Sequence, residues 1–159
     1  MNKKGSIGDV FFISVFIFLL AIVFVVGWVI HSKVNDEFQN NPSIVDQGKT
    51  MMQNSTDDYI SLFDGIFLTI IVGLWIGTII LAFQIDIHPV FFVLTIIVFA
   101  ILVILTALFG NAFYTFANNA NIVSYADDFT IIPFVMNNFV TVMIVLGFSV
   151  ALVMYAKTT

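Results

Sequence analysis

Residues 10–30 read VFFISVFIFLLAIVFVVGWVI, a stretch without a single charged side chain. A helix needs about 20 apolar residues to cross the hydrocarbon core of a bilayer. The stretch therefore predicts a membrane-spanning helix. Its apolar part exceeds the core of about 7–15 residues found in signal peptides, and Gly27–His31 offers no small-residue cleavage site. We expect a retained anchor.

Three further apolar runs follow, at residues 66–83, 90–109 and 139–156, and the last could begin as early as Ile131. The chain is 60% hydrophobic and 9% charged, whereas soluble domains carry about 25% charged residues. We therefore expect one all-α integral membrane domain over residues 1–159, with about four transmembrane helices.

Lysine placement predicts the orientation, because loops rich in Lys and Arg stay in the cytoplasm. Lys3 and Lys4 precede the first span, and Lys157 follows the fourth. Both ends should then face the cytoplasm (N-in/C-in), and the polar segments 31–65 and 110–138 should lie outside. Lys33 and Lys49 weaken this pattern.

The two polar segments differ in composition. Segment 31–65 predicts a solvated loop with one short helix and a turn at Asn40–Ser43. In segment 110–138, spacing places Phe109, Phe113 and Phe116 on one helical face. Two structures fit this face: an interfacial helix after span three, or a continuation of span three beyond the bilayer.

Paired carboxylates precede the second and fourth spans. The pairs are Asp57-Asp58 and Asp127-Asp128, each followed by an aromatic residue, Tyr59 or Phe129. We expect them to form one partner-docking surface. Two alternatives remain: the Asp residues cap helix N-termini, or they bind Ca²⁺ weakly. The repeated order also suggests an internal duplication.

Small residues recur every four positions in span two. They are Ser61, Gly65, Thr69, Gly73 and Gly77. Such a stripe lets another helix approach closely. The neighbouring helix could belong to the same chain or to another subunit.

The sequence contains few motifs that could catalyse a reaction or bind a ligand. Asp86, His88 and Pro89 lie at the short turn between spans two and three, where Pro89 suits a first helical turn and Asp86 or His88 suits a cap. The chain has no Cys, two His and no Arg. We expect no enzyme activity, metal, cofactor, nucleic-acid partner or small-molecule substrate.

Two stretches carry a resemblance. Residues 1–12, MNKKGSIGDVFF, and residues 85–92, IDIHPVFF, resemble small membrane proteins of archaeal and viral gene sets. The overall pattern is similar to membrane proteins of tailless, lipid-containing virions, which implies capsid proteins as partners. Lys3–Ser6 also looks like an archaeal type IV pilin leader, although Asp9 fits that motif poorly and pilins have one helix.

These observations favour a structural protein of a cell membrane or virion membrane that assembles with itself or with other membrane or capsid proteins. A holin-like pore former is the alternative. A small transporter or channel is a further one, disfavoured because no ionisable residue lies in the middle of a span.

Overall fold

A computed structural model describes the backbone of residues 7–84 and 89–156 and the side chains of residues 11–84 and 96–156. Its six helices are α1 (Ile7–Asn40), α2 (Asp46–Gln84), α3 (Pro89–Ala117), α4 (Val123–Ala126), α5 (Ile131–Asn137) and α6 (Phe139–Ala156). The described residues contain no strand. Four helices, α1, α2, α3 and α6, are long and apolar enough to cross a membrane. The prediction of an all-α, four-span membrane fold is therefore confirmed.

Helices α1 and α2 form a long antiparallel hairpin. Trp28 lies against Tyr59, and four residues earlier Phe24 lies against Phe63, so the two helices run in opposite directions in a fixed register. The hairpin closes over residues 41–45, where the Asn41 side-chain oxygen accepts a hydrogen bond from the Ser43 backbone N–H. The turn predicted at Asn40–Ser43 is present.

The predicted loop over residues 31–65 is wrong, because this segment is helical except for residues 41–45. Asn, Gln, Asp and Lys have only modest helix penalties, and tertiary packing overrides them. Here the packing comes from the hairpin itself. Asn35 is buried and accepts a hydrogen bond from Gln39, which also donates to the Lys49 carbonyl of α2.

Helix α3 continues to Ala117, so the structure has the second of the two arrangements expected for Phe109, Phe113 and Phe116. Phe113 is fully buried, and the other two pack beside it in the interior of the bundle. Their common face therefore points at the protein rather than at lipid. The short helices α4 and α5 come next, and α6 has the bounds predicted for the fourth span.

The four long helices pack in a ring in which α1 contacts α2 and α3, and α6 contacts the same two helices. Helix α6 approaches α3 closely where the Phe99 ring lies over Gly147. A β-carbon at Gly147 would overlap that ring. Any larger residue at position 147 would therefore force the Phe99 ring to shift.

Two contacts show how far along α1 the apolar runs of α3 and α6 extend. Phe109, which ends the apolar run of α3, stacks on Phe18 of α1 with ring centroids 5.1 Å apart. Phe139, the first residue of α6, lies beside Gly110 of α3. The polar ends of these two spans therefore meet α1 near Phe18.

The apolar run of α2 ends at a similar level, whereas the apolar run of α1 continues beyond it. In the hairpin register, Ile66, which begins the apolar run of α2, is level with Ala21. The apolar run of α1 continues to Ile30, which is about 14 Å farther along its axis. We call the part of the molecule beyond this level the cap; it comprises residues 22–65 and 110–138.

Candidate functional site

The cap contains much of the best-packed core of the described molecule. Its fully buried side chains include Val25 of α1, Phe113 of α3, and Ile132 and Met136 of α5. They belong to the same hydrophobic cluster as Phe67 and Phe139, which lie at the level of the apolar layer. The cap and the outer half of the bundle therefore form one packed unit, which can hold polar groups in fixed positions.

Asp64 of α2 caps helix α5. Its Oδ2 accepts hydrogen bonds from the backbone N–H groups of Thr130 (2.7 Å) and Ile131 (2.9 Å), and its Oδ1 accepts from Ile132 (3.0 Å). The Asp64 side chain is only 6% exposed. The first N–H groups of a helix have no partner within the helix, and its positive end attracts a carboxylate. Asp64 thus ties α2 to the segment between α3 and α6.

Trp28 of α1 makes a second connection to this segment. Its indole Nε1 donates a hydrogen bond of 2.8 Å to Asp128 Oδ2. The Trp28 side chain is buried, whereas Asp128 is exposed. A buried indole N–H needs an acceptor, and the carboxylate supplies one at the edge of the cap.

A column of rings lies between α1 and α2. Tyr59 stacks on Phe63 at 4.1 Å and on His31 at 4.8 Å between ring centroids. The Thr56 hydroxyl donates to the Met52 carbonyl, so its oxygen accepts from His31 Nε2 at 3.1 Å. A β-carbon at Gly27 would stand 2.7 Å from the Tyr59 hydroxyl oxygen. This column sets the hairpin register.

The predicted acidic pairs both lie in the cap. Asp57, Asp58, Asp127 and Asp128 are exposed, and Asp57 accepts a hydrogen bond from Gln53. Tyr59, which follows the first pair, lies against Trp28, and Asp128 of the second pair accepts a hydrogen bond from Trp28. Trp28 therefore contacts a residue next to the first pair and a member of the second. That the four carboxylates act as one docking surface stays a prediction.

The helix-capping alternative for these pairs is wrong. Helix α2 begins at Asp46, so Asp57 and Asp58 lie well inside it. Asp127 follows the last residue of α4, and the residue before α5 is Thr130. The N–H groups of α5 are satisfied instead by Asp64. Because one pair lies within a helix and the other between two helices, the suggested duplication has no counterpart in local structure.

The aromatic residues beside the pairs point inward. Phe129 is 3% exposed, and Tyr59 and Tyr125 pack against the core of the cap. They stabilise the chain's own fold rather than forming an outward-facing belt. Among the residues with described side chains, no group of three or more His, Asp or Glu could hold a metal ion.

The small-residue stripe of α2 faces away from the bundle. Ser61, Gly65, Thr69 and Gly73 are exposed and Gly77 is half-buried. A β-carbon at Gly65, Gly73 or Gly77 would meet no described atom within 4 Å. Within the described residues, the stripe therefore does not serve packing inside the chain, and packing between subunits remains a prediction.

Asp86 and His88 lie outside the described residues. Helix α3 begins at Pro89, the position expected for a proline in a first helical turn.

Sequence reasoning missed the two connections that organise the cap, Asp64 to α5 and Trp28 to Asp128. Asp64 carried a usable signal, because Leu62, Phe63, Ile66 and Phe67 surround it with apolar side chains. A carboxylate in such a stretch needs hydrogen-bond partners when it is buried. Neither its partner nor that of Trp28 is visible in the local sequence.

No family model, curated protein or solved structure matches this chain.

Proposed function

We propose that this chain is a structural integral membrane protein that assembles with itself or with partner proteins, most concretely as a component of a virion membrane. The observation that carries the proposal is the cap: a packed layer, held by internal hydrogen bonds, that displays carboxylates above four apolar helices. Such a layer presents a fixed surface to a partner.

The exposed carboxylates suit a basic partner surface. Asp57, Asp58 and Asp127 are exposed, and the chain has a net charge of −5. Like charges at the cap repel one another, and a partner carrying Lys or Arg would relieve that repulsion. With an N-in/C-in orientation, the cap lies on the side away from the cytoplasm, or facing a shell in a particle.

The polar groups inside the spans support a structural role over transport. Ser14, Thr78 and Thr106 are buried, and each hydroxyl donates to a carbonyl of its own helix, those of Phe11, Leu74 and Val103. Hydroxyls bonded in this way fit helix packing. Ion and proton paths usually carry ionisable side chains near the midplane. The virion form of the proposal is supported by the resemblance of residues 1–12 and 85–92.

The test is copurification from the native membrane or particle at increasing salt. We expect a retained partner with a basic surface, and we expect retention to fall as salt rises. The triple variant Asp57→Asn, Asp58→Asn, Asp127→Asn should lose the partner at all salt concentrations. Asp36→Asn, which removes an exposed carboxylate from α1, is the control and should retain it.

Unchanged retention by the triple variant would contradict the acidic docking surface. Expression in a bacterial host separates the structural proposal from the holin alternative. A structural protein should accumulate without harm, whereas timed depolarisation and cell death would favour the pore former.

A further inference from the structure

The apolar run of α1 is displaced along the bundle axis relative to the apolar run of α6. The α6 run begins at Phe139, which lies beside Gly110 and therefore near the level of Phe18. The α1 run continues beyond Phe18 to Ile30, which is about 18 Å farther along the helix. At the cap end of the bundle, α1 is therefore apolar at heights where the α6 run has not yet begun.

The opposite ends of the two runs are displaced in the same direction. The α1 run begins at Val10, about 12 Å before Phe18, whereas the α6 run extends about 26 Å from Phe139 to Ala156. The α6 run therefore reaches about 14 Å farther from the cap than the α1 run does. Helix α1 includes Asp9 just before Val10. An upright bundle would place this position near the middle of the hydrocarbon layer, where ionisable residues are rare.

Helices α1 and α6 lie at opposite corners of the bundle, because each packs against both α2 and α3. Interaxial distances of about 8–10 Å and helix diameters of about 10–12 Å put their outward faces roughly 21–26 Å apart. A displacement of about 14–18 Å across that width corresponds to an apolar belt inclined at roughly 30–40° to the helix axes. Transmembrane helices tilt by up to about 40°, so one flat bilayer can cover both runs.

Exposed apolar residues on the other faces of the cap need no inclination. Leu62, Tyr114 and Phe134 are exposed, and each lies four or five residues from the end of an apolar run. That separation is about 6–8 Å along a helix, which is roughly the thickness of the headgroup layer. Ile30 of α1 is 59% exposed, and its distance of about 18 Å from Phe18 is too large for that layer. The mismatch with an upright placement therefore belongs to α1.

We propose that the chain lies inclined in the bilayer, with its cap leaning toward the α1 side, and that the partner of the outward face of α1 is lipid. One rotation accounts for both ends of α1. It brings Ile30 down to the lipid, and it moves the Asp9 position toward the membrane surface on the side opposite the cap. The inference uses only the four-span membrane fold and does not depend on the acidic docking surface.

An inclined belt is thinner across the membrane than along the helices. The apolar runs of α2, α3 and α6 have 18, 20 and 18 residues, which is about 27–30 Å along each helix. At an inclination of roughly 30–40°, they cover about 21–26 Å along the membrane normal. The chain therefore fits a thin bilayer, and a thicker one should reduce its tilt.

Spin-label depth measurements test the inclination, because the native chain has no cysteine. The variants Phe12→Cys and Leu19→Cys, at exposed positions of α1, are labelled singly and reconstituted into dimyristoylphosphatidylcholine vesicles. Oxygen, which concentrates in hydrocarbon, and a water-soluble nickel chelate then report the surroundings of each label. Phe148→Cys on α6 is the hydrocarbon reference, and Met51→Cys in the outer part of α2 is the aqueous reference. Helical content and elution volume are measured for each variant, so that only folded protein is compared.

The order of depth along α1 separates the two placements. An inclined chain puts Leu19 near the middle of the lipid layer and Phe12 near its surface, whereas an upright chain reverses that order. We expect a ratio of oxygen to nickel accessibility that is several-fold higher at Leu19 than at Phe12. Asn111→Cys, exposed on α3 close to the height of Leu19, should report the headgroup layer. A higher ratio at Phe12 would overturn the proposal. Shielding of Leu19 from both reagents would also overturn it, because protein would then cover this face.

Polarised infrared spectroscopy of oriented bilayers measures the mean helix tilt of the native chain without any substitution. We expect a tilt of about 30–40° from the membrane normal in dimyristoylphosphatidylcholine and a smaller tilt in lipids with longer chains. A mean tilt below about 15° in the thin bilayer would contradict the inclined placement.

Discussion

Trp28 Nε1 donates a hydrogen bond to Asp128 Oδ2 across 100 positions of sequence, at 2.8 Å. This contact joins the first transmembrane helix to the connection that leads into the fourth. Together with Asp64, it anchors the 110–138 segment on both helices of the hairpin. The cap is therefore held by polar contacts of long sequence separation as well as by apolar packing.

Replacing Asp128 with Ala should destabilise the cap. The buried indole N–H of Trp28 would lose its acceptor, and an unsatisfied buried donor costs about 1–3 kcal/mol. The measurement is the free energy of unfolding in mild detergent. Asp127→Ala, which removes the exposed neighbouring carboxylate, should change it little. In a Trp28→Phe background, Asp128→Ala should have almost no further effect; a full additional loss would show that the hydrogen bond is not the cause.

Replacing Asp64 with Ala should loosen α5. Three backbone N–H groups would lose a shared carboxylate, and hydrogen bonds to charged groups contribute about 1.5–3 kcal/mol each to stability. Hydrogen exchange at Thr130, Ile131 and Ile132 should accelerate by more than tenfold. Asp58→Ala provides the comparison, because that carboxylate is exposed on the same helix. Unchanged exchange at the three amides would argue against the capping role.

Gly147→Ala and Gly73→Ala should have opposite effects. The added methyl at position 147 meets the Phe99 ring, and overpacking of this kind costs about 1–3 kcal/mol. At position 73 the methyl meets no described atom, and Ala favours a helix over Gly by about 0.5–1 kcal/mol. Thermal unfolding of the detergent-solubilised monomer measures both changes. A loss of association in Gly73→Leu, Gly77→Leu with an unchanged monomer fold would assign the small-residue stripe to a contact between subunits.

The predicted N-in/C-in orientation determines which positions we expect an impermeant thiol reagent to reach from outside intact cells. Single cysteines at Asn40 and Asn119, both exposed in the cap, should be labelled. A cysteine at Gln84, at the opposite end of α2, should react only after the membrane is opened. Labelling at Gln84 together with protection at Asn40 would invert the N-in/C-in arrangement.

The spans could be predicted because lipid imposes a simple rule: about 20 apolar residues in sequence. That rule gave the bounds of α6 correctly. It could not predict the helical extensions of α1 and α2. Whether such polar residues remain helical depends on the hydrogen bonds and packing that the opposite helix supplies. Asn35 is acceptable in α1 only because Gln39 and α2 surround it.

The organisation of the cap could be predicted least. Asp64 finds its partners 66 to 68 residues away, and no local pattern specifies them. The aromatic face of Phe109, Phe113 and Phe116 was recognised from spacing, but spacing alone does not tell whether lipid or protein covers it. The outward direction of the α2 stripe likewise depends on which face of α2 the neighbouring helices occupy.

The α1–α2 hairpin extends well beyond the acidic pairs, so the cap has exposed surfaces at two different distances from the apolar spans. From Ile66 back to Asp46, helix α2 extends about 30 Å beyond the start of its apolar run. Headgroups extend only about 5–8 Å on each side of the hydrocarbon core. If the apolar run of α2 lies in that core, the turn at residues 41–45 lies beyond the headgroups in water. The acidic pairs lie much nearer the lipid surface. Under the proposed function, a rigid partner would contact the hairpin tip without touching the bilayer, whereas a basic partner bound to the acidic pairs would lie closer to the lipid.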